Sequence, residues 1–289
     1  MDPKYHIHLV TNPASGYERT AKDAVLVEKA IMLYSKVETA IINFVENGDY
    51  KQYIDSIREY DKFIWEASHE GDKSNLFAYK KIKISPSWTE QIWAPVFERI
   101  RLSLNEYWKT ELVLIQNKQV VESINKHGPT AYKDVDGGIA VSINLNGKNY
   151  LMPVVVAEMK TGHFCKTACT GVDAIMRRVL TMNSNVLGFA ITDNNISVSK
   201  DAEVENVFGS GATLIQQRGI GFNNLKNIYP ELDYRQLELV EKICKNYFKT
   251  KQLTDFTNVK SKKALGMYLR ETIDTTGRYI PDNLQAYVP

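Results

Sequence analysis

Residues 134–160 read DVDGGIAVSINLNGKNYLMPVVVAEMK, and this stretch decides the fold. Apolar and β-branched residues over 139–145 predict a strand, Asn146-Gly147 predicts a tight hairpin turn, and 149–160 predicts the returning strand. The run Val154-Val155-Val156-Ala157 is apolar at every position, the pattern of a central strand covered on both faces. Downstream, Ala168, Val172, Ile175, Met176 and Val179 form one helical stripe, followed by expected strands at 186–192 and 213–217. Strand, helix, strand in that order implies a parallel crossover. The fold class expected is therefore α/β, a mixed central β-sheet flanked by helices.

Outside this core the chain reads as helical additions at both ends. Residues 20–46 place Val25, Ala30, Ile31, Tyr34, Val37, Ile41, Ile42 and Val45 at helical spacing, with Gly48 as the stop. A second helix is expected over 50–60 and a short strand over 62–67. Ser85-Pro86-Ser87 breaks the chain, and 89–108 returns to helix despite Pro95. The tail is read as helical over 234–248, then lysine-rich and irregular. With no repeat or linker in view, residues 1–289 are read as one elaborated domain whose catalytic core spans about 132–217.

Composition narrows the function. The 289 residues are 44% hydrophobic, enough for a sizeable core. A formal charge of +2 and a pI near 8.2 fall short of a chain coated in basic residues, so any nucleic-acid surface must be local. No stretch has the apolar length of a membrane span and the opening lacks a signal-peptide core, so a cytoplasmic location is expected. Cys165, Cys169 and Cys244 are too few for a disulfide framework. His163 near Cys165 and Cys169 suggests a metal site, but no second Cys or His pair follows to close a zinc tetrahedron, and buried reduced thiols are expected instead. Gly209-Ser210-Gly211 lacks the glycine and lysine of a phosphate loop, which leaves nucleotide-driven chemistry unsupported.

The chemistry-bearing residues end the central strand. Residues two apart on a strand share a face, so Glu158 and Lys160 point together while Met159 points to the other layer. Whether Asp136 joins them depends on register. A strict two-residue turn at Asn146-Gly147 pairs Asp136 with Ala157 and sends Glu158 to the opposite face. A three-residue loop or one bulge restores the match, and Gly137, Gly138 and Pro153 are natural places for it. Two carboxylates can hold Mg²⁺, which activates water and stabilises a phosphorane-like transition state, while Lys160 orients the water or the scissile phosphate. The bland alternative is a salt bridge at a strand end.

Val135-Asp136-Gly137-Gly138-Ile139 and Val155-Val156-Ala157-Glu158-Met159-Lys160 resemble the paired motifs of the PD-(D/E)XK nucleases, in particular restriction endonucleases of the EcoRI type. The resemblance covers about residues 132–180. It implies a magnesium-dependent, site-specific type II endonuclease of a restriction-modification system, cutting double-stranded DNA as a homodimer. Asp136 and Glu158 would be the metal ligands and Lys160 the catalytic lysine. Val135 stands where the family has proline, which keeps Asp134 as a second candidate, and the Gly-Gly pair favours Asp136. The stretch Asp173-Ala174-Ile175-Met176-Arg177 is loosely similar to the family's DNA-reading helix, and the apolar stripe directs Arg177 and Arg178 away from the sheet. Solvated charge on an outer helix face is the alternative. Lys80, Lys81, Lys83, Lys126, Lys249, Lys251, Lys260, Lys262 and Lys263 are further candidates for phosphate contact or plain solubilising charge. Rival readings are a repair or recombination nuclease on the same core, and a DNA-binding protein without catalysis.

Overall fold

Helical periodicity in the first third becomes packed helices. The computed structural model describes residues 24–69, 88–115, 119–123, 134–160, 183–192, 213–216, 234–260 and 267–271. Helix α1 (Ala24–Asn47) buries Ala30, Leu33, Tyr34, Val37, Ile41, Phe44 and Val45 along one stripe. Gly48 ends it at φ +73°, its N–H donating to the Phe44 carbonyl at 2.8 Å. Asp49 Oδ1 then accepts the Gln52 N–H at 2.9 Å and starts the next helix.

That helix, α2 (Tyr50–His69), corrects one expectation: residues 62–67 are helical, not a strand. Phe, Ile and Trp favour strands locally, but Tyr53, Ile54, Ile57 and Tyr60 are buried at helical spacing and Phe63 extends the stripe. Continuing the helix buries that face against α1, which a lone strand without partners could not do. Tyr34 and Tyr60 meet across the pair with ring centroids 5.7 Å apart, and Phe44 stacks on Tyr53 at 4.7 Å.

Helix α3 (Trp88–Trp108) tolerates Pro95 because Trp93, Val96, Phe97, Ile100 and Leu104 anchor it in the core. It also carries a fully buried ion pair. Arg101 Nε and Nη2 donate to the two carboxylate oxygens of Glu98 at 2.8 and 2.7 Å, and Nη1 donates to the Leu112 carbonyl at 3.0 Å. The pair thereby fixes α3 to the start of the sheet.

The strands are β1 (Leu112–Ile115), β2 (Gln119–Ser123), β3 (Asp134–Val135), β4 (Gly137–Leu145), β5 (Lys148–Lys160), β6 (Leu187–Thr192) and β7 (Thr213–Gln216). Helix α4 (Tyr234–Phe248), a short α5 (Thr254–Thr257) and β8 (Met267–Glu271) follow. One path runs β1-β4-β5-β8-β2-β3, while β6 joins β5 and β7 joins β6. β5 is antiparallel to β4 and β8 but parallel to β6, so the sheet is mixed and flanked by helices. Val154 to Ala157 are fully buried, as a central strand requires. The region after residue 248, read as irregular, holds α5 and β8.

Helix α3 packs on β1, β4 and β5, with α1 and α4 packed on α3. Most of the described aromatic residues of these helices go into the core: Trp93, Phe97 and Phe189 line the contact with the sheet, and Trp108, Phe248 and Phe256 cluster at one end. Cys244 is buried in α4. His163, Cys165 and Cys169, the stripe from Ala168 to Val179, and both Arg177 and Arg178 lie outside the described residues. Among the described residues no helix is long and apolar enough to cross a membrane.

Candidate active site

The site is built by how β4 and β5 keep register. Asn146 and Gly147 adopt φ +54° and +78°, the paired positive values of a two-residue hairpin turn, and the ladder from Leu145↔Lys148 to Ala140↔Pro153 follows from it. Continued unbroken, that ladder would set Asp136 against Ala157. It breaks between Ile139 and Ala140, where β5 carries one extra residue, Val154, and resumes as Ile139↔Val155, Gly138↔Val156 and Gly137↔Ala157. Counted one step beyond that last pair, Asp136, which lies between β3 and β4, comes level with Glu158. Of the two devices the sequence allowed, the fold uses the bulge.

Asp136 is held at that step by its own carboxylate. The backbone N–H of Met159 donates to Asp136 Oδ2 at 2.7 Å, which ties the aspartate to the end of β5. This hydrogen bond from the main chain orients the carboxylate. That hydrogen bond, one residue from Glu158, brings the two carboxyl-bearing residues to the same end of β5. The Met159 face is dry. A Cβ on Gly137 would lie 2.7 Å from Met159 Cε and 3.7 Å from the Phe97 ring, so Gly137 faces Met159 and α3 there, and a side chain at 137 would have to displace the mobile end of Met159.

Glu158 is 1% exposed and Asp136 half-buried. A buried carboxylate needs compensating charge or donors, and two at one strand end suit a hard divalent cation. Mg²⁺ binds through one or two carboxylates and keeps much of its water, so this donor set fits it. Among the described residues no group of three or more His, Cys, Asp or Glu converges to hold a metal ion. The main chain of Lys160 pairs with Thr192 of β6, two residues beyond Glu158 and on the same strand parity. Asp134, the second aspartate candidate, is paired through its backbone with Val120 of β2.

A different concavity, an open cleft of about 590 Å³ between α3 and α4, includes Tyr50, Arg99, Tyr107, Glu241, Lys242 and Lys245 in its lining. Of the residues singled out from the sequence, Lys249 lines it, and Asp136, Glu158 and Lys160 do not. Its floor is a polar node: Tyr50 Oη donates to Glu241, Arg99 Nε lies 3.2 Å from Glu241 Oε1, and Lys245 Nζ lies 2.5 Å from it. Arg99 also donates to the Val45 carbonyl at 3.2 Å, capping the end of α1. Burial alone would raise the Glu241 pKa, but hydrogen bonds from Lys245 and Tyr50 and the Arg99 charge outweigh it and hold the carboxyl below its ordinary value. Burial, together with the same contact, pushes the Tyr50 hydroxyl well up. No residue of this node appeared among the functional candidates read from sequence, since its members lie far apart in the chain and meet only in the fold. Neither a known protein-family model nor a curated protein matches the chain.

Proposed function

We propose that the chain is a magnesium-dependent endonuclease with a restriction-endonuclease-like fold, cutting double-stranded DNA at a specific site as a homodimer. The observation that carries the reading is the pair of Asp136 and Glu158 at the end of β5, brought level only through a bulge in an otherwise regular hairpin. The likeness of the two motifs to the PD-(D/E)XK nucleases supplies the reaction class.

In this reading Asp136 and Glu158 hold Mg²⁺, which when bound lowers the pKa of a ligated water and offsets charge on the scissile phosphate. Met159 N–H keeps the Asp136 carboxylate turned toward the pair. Lys160, on the strand parity of Glu158, places an ammonium beside the attacking water or a phosphate oxygen. Arg177 and Arg178 supply one base-edge contact and one phosphate contact.

Incubation with plasmid DNA and Mg²⁺, followed by sequencing of the ends, tests the proposal. Discrete ends at one sequence are expected. A broad pattern of ends favours a repair or recombination nuclease on the same core, and DNA binding with no metal-dependent cleavage favours a non-catalytic binding protein.

A further inference from the structure

We propose that Gly138 is a positioning residue for the carboxylate pair: its missing Cβ is what lets the Val154 bulge form and so decides which face Asp136 shares. The inference rests on reading Asp136 and Glu158 as a cation site. The register supplies the first half of the argument. With the Asn146-Gly147 turn as the fixed end of the hairpin, every residue between turn and site is counted, and the count is one too many on β5 for Asp136 to meet Glu158. Val154 absorbs the excess.

The backbone supplies the second half. Beside the bulge Gly138 takes φ +141°, a value that L side chains rarely adopt. A Cβ there would lie 2.1 Å from the Val155 carbonyl oxygen, 2.8 Å from its carbon and 3.0 Å from the Val156 Cα. All three atoms are main chain of the central strand, so no rotamer change relieves the overlap. Pro153, with no N–H to lose, sits where the ladder breaks and makes that break cheaper. A side chain at 138 therefore drives β4 and β5 apart at the bulge, and the step that sets Asp136 opposite Glu158 is lost. Removing Val154 acts in the opposite sense. The pairs on either side of it become consecutive, Asp136 still falls opposite Glu158, and Gly138 can take an ordinary extended conformation.

The test is calorimetric titration of the full chain with Mn²⁺, alongside circular dichroism and thermal melting. Gly138→Ala should keep its helical signal and lose Mn²⁺ affinity by about 10- to 100-fold, the range for residues that orient metal ligands. Deleting Val154 should leave affinity near that of the unaltered protein, and Gly138→Ala in the deletion background should regain it. A folded Gly138→Ala protein with unaltered affinity overturns the proposal. If Gly138→Ala alone does not fold, rescue by the Val154 deletion supports the proposal and absence of rescue overturns it. Asp136→Ala and Glu158→Ala are the controls: if neither weakens Mn²⁺ binding, or the unaltered chain binds none, the cation reading itself falls and the proposal with it.

Discussion

Glu158 lies at 1% exposure opposite Ala190 of β6, where an ionised carboxylate is costly unless a cation or donors offset it. That cost is what a metal site can turn to use, and the proposed chemistry makes its sharpest demand here. Replacing Glu158 or Lys160 by alanine should lower Mg²⁺-dependent cleavage by orders of magnitude while the folded protein still binds DNA, because each group acts chiefly in the transition state. Single-turnover cleavage and a binding titration on the same preparations separate the two effects; near-normal cleavage by a folded Lys160→Ala protein removes the core of the reading. A second buried charge makes a stability prediction independent of function. Arg101→Ala leaves the Glu98 carboxylate in the core without its bidentate guanidinium and should destabilise the protein by about 3–5 kcal/mol in urea denaturation. Replacing both members by apolar residues of similar volume should cost much less, since the desolvation of both charges is then avoided.

Among the elements, the Glu241 node joins α2, α3 and α4, with Arg99 reaching back to the end of α1. Because the folded-state pKa of Glu241 is depressed, the stability it contributes is fully present above its ordinary value of 4.5 and is lost as pH falls through the lower folded value. Glu241→Gln should therefore flatten the loss of thermal stability below about pH 4.5, with little change in the slope near neutrality. A denaturation series from pH 3 to pH 7 checks the sign, and an unchanged acid limb would assign that limb to other carboxylates. At the same scale, Arg177→Ala or Arg178→Ala should cost about 1–3 kcal/mol and relax preference at one base pair, whereas loss of a phosphate contact weakens all sequences alike. If both variants keep affinity, preference and salt dependence, neither arginine reads the DNA. How far such elements are legible in sequence depends on how local their causes are. Asn146-Gly147 declares its own turn, and the stripe over 234–248 declares α4 to the residue. Parity at Asp136 demanded a break in register, yet only the approach of the Val155 carbonyl to Gly138 decides where it falls. Residues 62–67 were misread because local β-propensity opposed a stripe begun ten residues earlier. β8 was missed because its main partner, β2, lies about half the chain away, and nothing within MYLRE announces that pairing.

At the scale of the whole molecule, one carboxylate pair can hydrolyse one strand at a time, whereas a duplex presents two strands related by two-fold symmetry. Two copies of the chain related by the same symmetry would bring one pair to each strand, and the site they read would be a palindrome. Stable interfaces bury about 1,600 Å² and favour aromatic anchors; the aromatic-rich helical additions are candidates for them, with packing inside the monomer an equally good use. The structure gives most of those aromatics to the monomer: Tyr34, Phe44, Tyr53, Tyr60, Trp93, Phe97 and Phe248 are all buried within it. In the proposed dimer the interface would then draw on other surface, and DNA would supply part of what holds the two copies together. The expected outcome is a mass in solution that rises to two chains per duplex when a cleavable palindrome is added with Ca²⁺ in place of Mg²⁺, a cation expected to support binding without turnover. Both strands should then be cut at symmetry-related positions once Mg²⁺ is supplied. A single chain per duplex that cuts an asymmetric site would overturn the symmetric assembly while leaving the carboxylate chemistry intact, so measuring stoichiometry and cut positions on the same DNA tests the assembly apart from the reaction.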